Sequence, residues 1–389
     1  MLDMEAIKNF SIDKSDWKKV KFGDVVFEPK ESIKDPVAEG IEHVVGLEHI
    51  DSENIHLRRS ASIEGSTTFT KKFSQGDVLF GRRRAYLKKA AKASFEGICS
   101  GDITVMRANG ELLLPELLPF IVSNDKFFDY AITHSAGGLS PRVKFKDISN
   151  YEFDLPPKEK QHDILKLLNS TELLCQEKNK LIEKLKLSLT VFEVEFFSCK
   201  SNESKKLKDV LFKTLSGGTP NSKISEFYED GSIPWLTTKT IHNDFIGVGE
   251  KLITEDAVTK SAAKVLPKGN IIAGTRVGVG KFAVNEVDIS FSQDVTGLLV
   301  NHEKIDLTFL VYQLNSRPFQ LKLKPLLRGT TIKGVTKDDL LNLKIAVPSY
   351  EKQQDNKLKI QSIKSSIENA LKSLEASISI KNSLINKVF

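Results

Sequence analysis

Asp154-Leu155-Pro156-Pro157-Lys158-Glu159-Lys160-Gln161 and Ala346-Val347-Pro348-Ser349-Tyr350-Glu351-Lys352-Gln353 are two versions of one stretch. Pro156 matches Pro348 and Glu159-Lys160-Gln161 matches Glu351-Lys352-Gln353, both at an offset of 192. At that offset Asn150 meets Asn342, Asp147 meets Asp339, Gly137 meets Gly329, Asp102 meets Asp294 and Ser100 meets Ser292. Gly76 and Gly81 meet Gly269 and Gly274 at 193, and Asp24-Val25 meets Asp209-Val210 at 185. Each identity alone is weak. Their common order, and their concentration at turn residues, make the chain an internal duplication. The second copy carries a few extra residues early in its globular part.

Beyond Pro156 and Pro348 the texture of the chain changes. Residues 158–197 and 349–389 contain no proline or glycine. Apolar residues recur there at spacings of three and four: Leu167, Leu174, Leu181, Leu185 and Phe192, then Ile360, Ile363, Ile367, Leu374, Ile378 and Val388. A narrow seam of period near 3.5, set among lysine and glutamate, predicts long helices that pack on one another. Forty residues of helix measure about 60 Å. Before each helix, short apolar runs such as Asp77–Phe80, Ile103–Met106, Asn270–Ala273 and Gly297–Val300 read as strands, while 115–130 and 307–323 show helical spacing. The expected fold is α+β: homologous lobes at 1–156 and 200–348, a central helix at 157–199 and a C-terminal helix at 349–389. Antiparallel helices holding one lobe at each end would form a dumbbell with a pseudo-twofold axis.

The chain of 389 residues is long enough for two domains, and 40% hydrophobic with 28% charged residues describes a folding sequence. No run approaches the ~20 apolar residues of a membrane helix, and Asp3 and Glu5 after Met1 argue against a secretory signal. Cys99, Cys175 and Cys199 are odd in number and widely spaced, which suits neither a disulfide framework nor a zinc knuckle. A cytoplasmic, soluble protein is expected. Fifty-seven Lys and Arg against 51 Asp and Glu give +6, which permits a polyanionic partner without requiring one.

Enzymatic motifs fail on inspection. The run Gly274-Thr275-Arg276-Val277-Gly278-Val279-Gly280-Lys281 has Thr275 where a phosphate loop needs glycine, and Phe282 where it needs Ser or Thr. It reads as a tight turn between strands. Asp24 with Glu28-Pro29-Lys30 imitates a nuclease acid–acid–lysine set, but Pro29 removes a donor from the strand that would carry it. The seven histidines form no metal-binding pair. Neither a nucleophile elbow nor the Asn/Asp-Pro-Pro-aromatic run of an amino-methyltransferase occurs. No catalytic residue, metal or cofactor site is assigned to the chain.

Polar, basic and glycine residues collect instead in three loop regions that recur in both halves. The first is Gly81-Arg82-Arg83-Arg84-Ala85-Tyr86-Leu87-Lys88-Lys89, opposite Gly274–Lys281, where Thr275, Arg276 and Lys281 stand. Arginine suits phosphate or guanine, and Tyr86 suits stacking or a phosphate bond. Three adjacent like charges repel unless an anion neutralises them; a solvated turn is the plainer alternative. The second is Ser135–Arg142, with Ser140 and Arg142, opposite Leu327–Lys333, with Thr330, Thr331 and Lys333. Glycine, hydroxyl and cation together suit close approach to a sugar–phosphate chain. The third is read as a strand: Val44–Ile50, with His49, opposite Trp235–Ile241, with Thr237 and Lys239. Trp235 reads as core rather than as a stacking platform.

Ser216-Gly217-Gly218-Thr219-Pro220, then Gly231-Ser232-Ile233-Pro234-Trp235, then Pro267-Lys268-Gly269-Asn270-Ile271-Ile272, then Glu351-Lys352-Gln353 opening a long helix, resembles the specificity subunit of Type I restriction–modification enzymes. The ordered set in a two-copy frame covers essentially the whole chain. The first half departs from it, lacking Gly-Gly-Thr-Pro and placing Val44 where Trp235 stands. The resemblance implies that each lobe is a target-recognition domain reading one half of a bipartite site in double-stranded DNA. It implies that the helices space the lobes and dock two modification subunits, which bind S-adenosylmethionine and methylate adenine, with restriction subunits joining to cut. Two readings of other classes compete: a protein-binding scaffold on a coiled coil, and a self-contained nuclease or methyltransferase. Salt-dependent binding to random duplex separates the first from DNA recognition.

Overall fold

Lys18–Lys21 pairs antiparallel with Glu152–Leu155, and Ser204–Lys206 pairs antiparallel with Lys344–Ala346, so the ends of each lobe are tied together beside its helix. The computed structural model describes residues 11–63, 68–197, 204–331 and 333–389. Cys199, the boundary at 199/200, Ile332 and the N-terminal Met1, Asp3 and Glu5 lie outside them. The chain packs as two units: one runs to Asn179 and takes back Lys372–Phe389, the other is Lys180–Leu371.

In the first unit a sheet runs Val26–Phe27, Ile103–Ala108, Val78–Gly81, Ala90–Lys92, antiparallel throughout. A second runs Ala61–Ser62, His43–Val45, Gly97–Cys99, Lys71–Phe73, with its middle pair parallel. The second unit repeats this. One sheet runs Leu211–Ser216, Val295–Val300, Ile271–Gly274, Phe282–Asn285, with Phe245–Ile246 added at the edge. The other runs Lys251–Ile253, Ile233–Leu236, Ile289–Phe291, Val265–Leu266, again with a parallel middle pair. The added strand and the helix Glu255–Lys260, capped by the Thr254 hydroxyl, belong to the longer early part of the second copy.

The repeated residues do repeated work. Asp24 and Asp209 each accept from the amide three residues back, Lys21 at 3.1 Å and Lys206 at 2.9 Å. Asp24 is therefore a cap, and Glu28 pairs with Lys71 at 3.3 Å. Gly76 and Gly269 both take the left-handed φ, +95° and +79°, that their turns require. Of each Glu-Lys-Gln, the glutamine is the buried member. Gln161 accepts from the Leu114 amide at 2.8 Å and donates to the Leu112 and Pro156 carbonyls; Gln353 accepts from the Asp306 amide at 2.7 Å and donates to the Pro348 carbonyl. One side chain thus satisfies backbone groups where the lobe meets the helix start.

The long helices span Lys158–Phe197 and Tyr350–Val388, as their composition predicts. Their packing differs from the expected seam on the central helix. Leu174 and Leu181 are 40% and 49% exposed, while Ile164, Leu168, Thr171, Cys175 and Ile182 are buried. The leucines are the more conspicuous residues, but the seam is held by Ile164, Leu168 and Ile182 with the smaller or polar Thr171, Glu172 and Cys175 between them, where charged groups come from the opposite side. Lys381 reaches Glu172 at 3.0 Å, and Lys178 donates to Ser377 and to the Ser373 carbonyl. Partners descend in number as the central helix ascends, so within this unit the helices are antiparallel. Their ends enter the lobe core: Ile164 and Leu168 join Phe22, Phe80 and Phe127, and so do Leu384, Ile385, Val388 and Phe389. In the second unit Phe197 and Ile360 enter the core around Phe282 and Phe309.

Three local expectations are corrected. The strand read over Val44–Ile50 ends at Val45; Leu47–His49 is a 3-10 turn, closed by His49 Nδ1 accepting from the Gly46 amide at 2.9 Å. The strand read over Trp235–Ile241 ends at Leu236, where the Thr237 amide turns to Glu250. Each helical segment is broken. Asn124 caps a new helix at Asp125–Thr133, and Pro318 lies in the first turn of Arg317–Leu323, where it cannot continue Leu307–Asn315.

The glutamine contacts make a testable pair. Gln161→Ala and Gln353→Ala should each cost about 2–3 kcal/mol by stranding buried backbone groups, whereas exposed Glu159→Ala should stay within about 0.5 kcal/mol, as read by calorimetric unfolding.

Glu172 gives a second. Burial opposes its ionisation, but hydrogen bonds from His56 and Lys381 and the Lys381 charge outweigh this, and its carboxyl falls from 4.5 to about 2. A depressed folded value means the stabilisation is complete above pH 4.5 and is lost as pH falls toward 2. Lys381→Met should cost about 3 kcal/mol near neutrality by removing the buried cation opposite the carboxylate and leaving it only the His56 and Gln176 hydrogen bonds, and adding Glu172→Leu should recover most of that and flatten the acid limb.

Candidate nucleic-acid interface

The first loop region bridges two strands of the first-described sheet in each unit. Val78–Gly81 pairs with Ala90–Lys92, and the Gly81 amide donates to the Lys89 carbonyl at 2.8 Å; Ile271–Gly274 pairs with Phe282–Asn285, and the Gly274 amide donates to the Lys281 carbonyl at 2.8 Å. The glycine-rich run of the second copy is thus the tight turn that its sequence suggests.

The second loop region is stitched onto the first. Ala136 and Arg142 exchange two backbone hydrogen bonds of 2.9 Å, the Arg84 amide donates to the Pro141 carbonyl, and the Val143 amide donates to the Arg82 carbonyl. In the second unit Arg328 and Gly334 exchange two of 2.8 Å, and the Val335 amide donates to the Thr275 carbonyl at 3.0 Å. Arg83 and Arg276 occupy matching bridge positions against Arg142 and Gly334.

The third region closes on the same place. Lys89 Nζ donates to the Leu47 carbonyl at 2.6 Å, and Lys281 Nζ to the Thr238 carbonyl at 3.2 Å. All three regions therefore converge within each unit, at matching positions.

An aspartate organises the convergence. The Asp102 carbonyl accepts from the Arg82 amide, and its carboxylate binds Arg83 at 3.1 Å and Arg142 at 2.8 Å. The Asp294 carbonyl accepts from the Thr275 and Arg276 amides, and its carboxylate faces Arg276 Nε at 3.8 Å. Ser100 and Ser292 receive the amides of Asp102 and Asp294. Partial burial opposes ionisation of Asp102, but Arg142 and Arg83 outweigh it and hold the carboxyl below its ordinary range. One carboxylate among Arg82, Arg83, Arg84 and Arg142 leaves the rim cationic. Among the described residues, buried Arg82 Nε and Arg83 Nε have no acceptor, and Ser140 Oγ accepts from Arg83 and Arg84.

The candidate residues divide accordingly. Arg82, Arg83, Arg84, Ser140 and Arg142 come together in the first unit, with Tyr86 exposed on the same loop. In the second, Thr330, Thr331 and Lys333 line an open groove of about 430 Å³ walled by Val277 and Leu327, and Arg276 stands next to Val277 facing Asp294. Lys239 is exposed beyond Thr237, whose hydroxyl and amide both meet Glu250, as does the Thr240 hydroxyl. Four candidates are turned inward, Lys281 among them through its bond to the Thr238 carbonyl. Lys88 pairs with Asp125 at 2.5 Å, His49 is half-buried on the Gly46 amide, and Thr275 is buried with its hydroxyl on the Asp294 carbonyl and Thr296. Asp102, Asp294, Lys89 and Glu250 were not among the candidates. The aspartates had a signal in the sequence, their identity at one offset together with Ser100 and Ser292, and Lys89 had the same signal in its identity with Lys281; Glu250 had none.

The Gly-Gly-Thr-Pro motif is a packing device. Trp235 is buried and its Nε1 donates to the Gly218 carbonyl at 3.0 Å. A Cβ on Gly217 would stand 2.2 Å from the Ser292 carbonyl oxygen, and one on Gly218 2.3 Å from that of Ala262. Only glycine lets this segment lie beside the residues that lead to Asp294.

Among the described residues, no group of three His, Cys, Asp or Glu is arranged to hold a metal ion, and no helix is long and apolar enough to cross a membrane. Buried Cys99 and Cys175 are free thiols.

The family described as the Type I restriction modification DNA specificity domain matches the chain twice, over residues 14–187 and 200–382. The chain is 27% identical over 199 residues to the specificity subunit of the type I restriction enzyme EcoR124I/EcoR124II of Escherichia coli, covering 50% of this chain and 49% of that protein. It is 30% identical over 277 residues to the MjaVIII specificity subunit of Methanocaldococcus jannaschii, covering 63% of each. The matched stretches thus span about half to under two thirds of these relatives. Among solved structures it resembles a chain from work on complex assembly and conformational transition of the type I R-M system, with TM-score 0.64, 21% identity, and coverage of 95% and 97%. It also resembles the type I restriction–modification S subunit from M. genitalium, with TM-score 0.53, 14% identity and 96% coverage of each. At these identities the structural likeness speaks for the fold alone. Two family matches covering most of the chain, falling on two units of one topology, show that the chain belongs to the Type I restriction–modification DNA specificity family.

Proposed function

We propose that this chain is the DNA-recognition subunit of a Type I restriction–modification complex, each lobe reading one half of a bipartite site in double-stranded DNA. The observation that carries the reading is the convergence, in both units, of three polar and basic loop regions around one aspartate. Arginine at such a rim serves phosphate or guanine, and hydroxyls and exposed lysines serve the sugar–phosphate chain. Side chains differ between the rims where the frame does not: Gly334 occupies in the second copy the position of Arg142 in the first, and Val277 that of Arg84. Two frames of one build with different side chains suit two different half-words.

The chain supplies recognition and no chemistry of its own. Two modification subunits would dock on the long helices, bring S-adenosylmethionine and methylate an adenine extruded into their pocket. Restriction subunits would add cleavage. The purified chain should neither methylate nor cut, and methylation mapping in a host with and without the gene should reveal one bipartite motif. In the assembled complex, replacing Arg82, Arg83 and Arg84 by alanine should weaken binding and reduce the salt slope by about 0.9 per lost phosphate contact, or relax one position of a half-word at ~1–3 kcal/mol. Binding without any salt slope would favour the protein scaffold instead.

The helices are proposed to set the spacer between half-words. Inserting four residues beside Leu181 adds about 6 Å, so the preferred spacer should grow by about one or two base pairs while both half-words survive. Some loss of activity is expected, because four residues are neither a full turn nor a heptad. Unchanged spacing at undiminished activity, read by methylation mapping, would sink the ruler.

A further inference from the structure

Both recognition rims carry an apolar tip that the aspartate clasp does not use. Leu139 is 99% exposed. It is not on a loose tail: the mutual Ala136–Arg142 bonds and the Arg84–Pro141 bond hold its loop, and the adjacent Ser140 hydroxyl accepts from Arg83 and Arg84. Scattered exposed leucines are ordinary on protein surfaces. A leucine wholly in water among guanidinium groups, on a loop stitched at both ends, is placed where an anion will bring a surface against it.

The second unit has its own version on the other loop. Thr331 stands where Leu139 does, at the 192 offset, and the apolar residue is Val277, at the position of Arg84. Arg84 and Val277 both adopt left-handed φ, +53° and +46°. A β-branched residue there is a genuine outlier. The strain is retained at a loop tip, where Val277 is 45% exposed and walls the groove opposite Thr330 and Thr331. Backbone strain of this kind concentrates at ligand-contacting positions.

We infer that Leu139 and Val277 are specificity-determining residues, each contacting the C5-methyl group of a thymine in the major groove, one in each half of the bipartite site. The inference rests on the DNA-recognition reading and deepens it. Thymine is the one base that presents an apolar group at the major-groove edge. Phosphates and the polar atoms of the other base edges would leave a leucine or valine side chain without a partner, and the C–H faces of the sugars are the same for every base and carry no sequence information. The arginines beside Leu139 and the threonines and Lys333 beside Val277 hold the backbone, so the tips are brought to the bases.

The test uses the full chain assembled with its modification subunits, and duplexes carrying the motif that methylation mapping yields. Deoxyuridine is placed for each thymine in turn, which removes one methyl and keeps the base pair. In each half-site one such change should weaken binding about fourfold, the worth of a buried methyl group. Leu139→Ala should abolish that sensitivity in one half-site and keep it in the other, and Val277→Ala should do the reverse. If neither half-site has a methyl-sensitive thymine, or if both variants stay as methyl-sensitive as the parent, the inference is overturned while DNA recognition stands. A Leu139→Ala complex weakened equally on every duplex would also overturn it, since a wedge between base steps would behave that way. Failure of mapping to reveal any bipartite motif would overturn both readings.

Discussion

A helix of forty residues cannot bury its own apolar stripe, and this constraint shapes everything else in the chain. Each of the two long helices finds cover by giving one end to each unit. In the first unit, Ile164 and Leu168 from the start of one helix and Leu384, Ile385, Val388 and Phe389 from the end of the other complete a single phenylalanine-rich core. In the second, Phe197 and Ile360 do the same. Neither lobe core is complete with its own helix alone. Buried glutamines at the helix starts and the Glu172–Lys381 pair then specify register, because a slip would leave backbone groups or a charge unpaired in a dry setting.

Once the lobes are anchored, their sheets project loops whose mutual placement rests on short polar contacts rather than apolar burial. Asp102 and Asp294 carry most of it. Each uses its carbonyl to hold the amides of the first loop and its carboxylate to face an arginine of that loop, and Asp102 adds an arginine of the second. A carboxylate serves because it can bind several guanidinium donors while cancelling only one charge. The rim is therefore both ordered and net cationic in the first unit, which are separate requirements for the proposed contact with a polyanion in a defined register.

The division between frame and tip would let one topology serve the two recognition tasks proposed for it. The turn glycines Gly76/Gly269 and Gly81/Gly274, the Ser–Asp pairs and the lysines that close the first loop belong to the frame and match across the copies. Positions that face outward from it, Arg84 and Val277 or Leu139 and Thr331, do not match. Contacts buried inside the frame are constrained by geometry; side chains at the rim are constrained only by what they meet.

The duplication, the two long helices and the poverty of catalytic motifs were legible in the linear order of residues, because they depend on periodicity, on proline and glycine punctuation and on recurrence at one offset. The three loop regions were also legible as polar and glycine-rich segments, and Trp235 as core. That these regions converge was not. Arg142 meets Asp102 across 40 residues and Arg83 meets Ser140 across 57, and no local pattern encodes such pairings. For the same reason Lys88 and Thr275 looked available until Asp125 and the Asp294 carbonyl were seen to engage them. The central helix shows the limit most plainly: its sequence determined that it is a helix with an apolar stripe, but only the packed partners decided that Cys175 and Glu172 face inward while Leu174 and Leu181 face water, since a side chain's burial is set by what lies opposite and not by its own hydrophobicity.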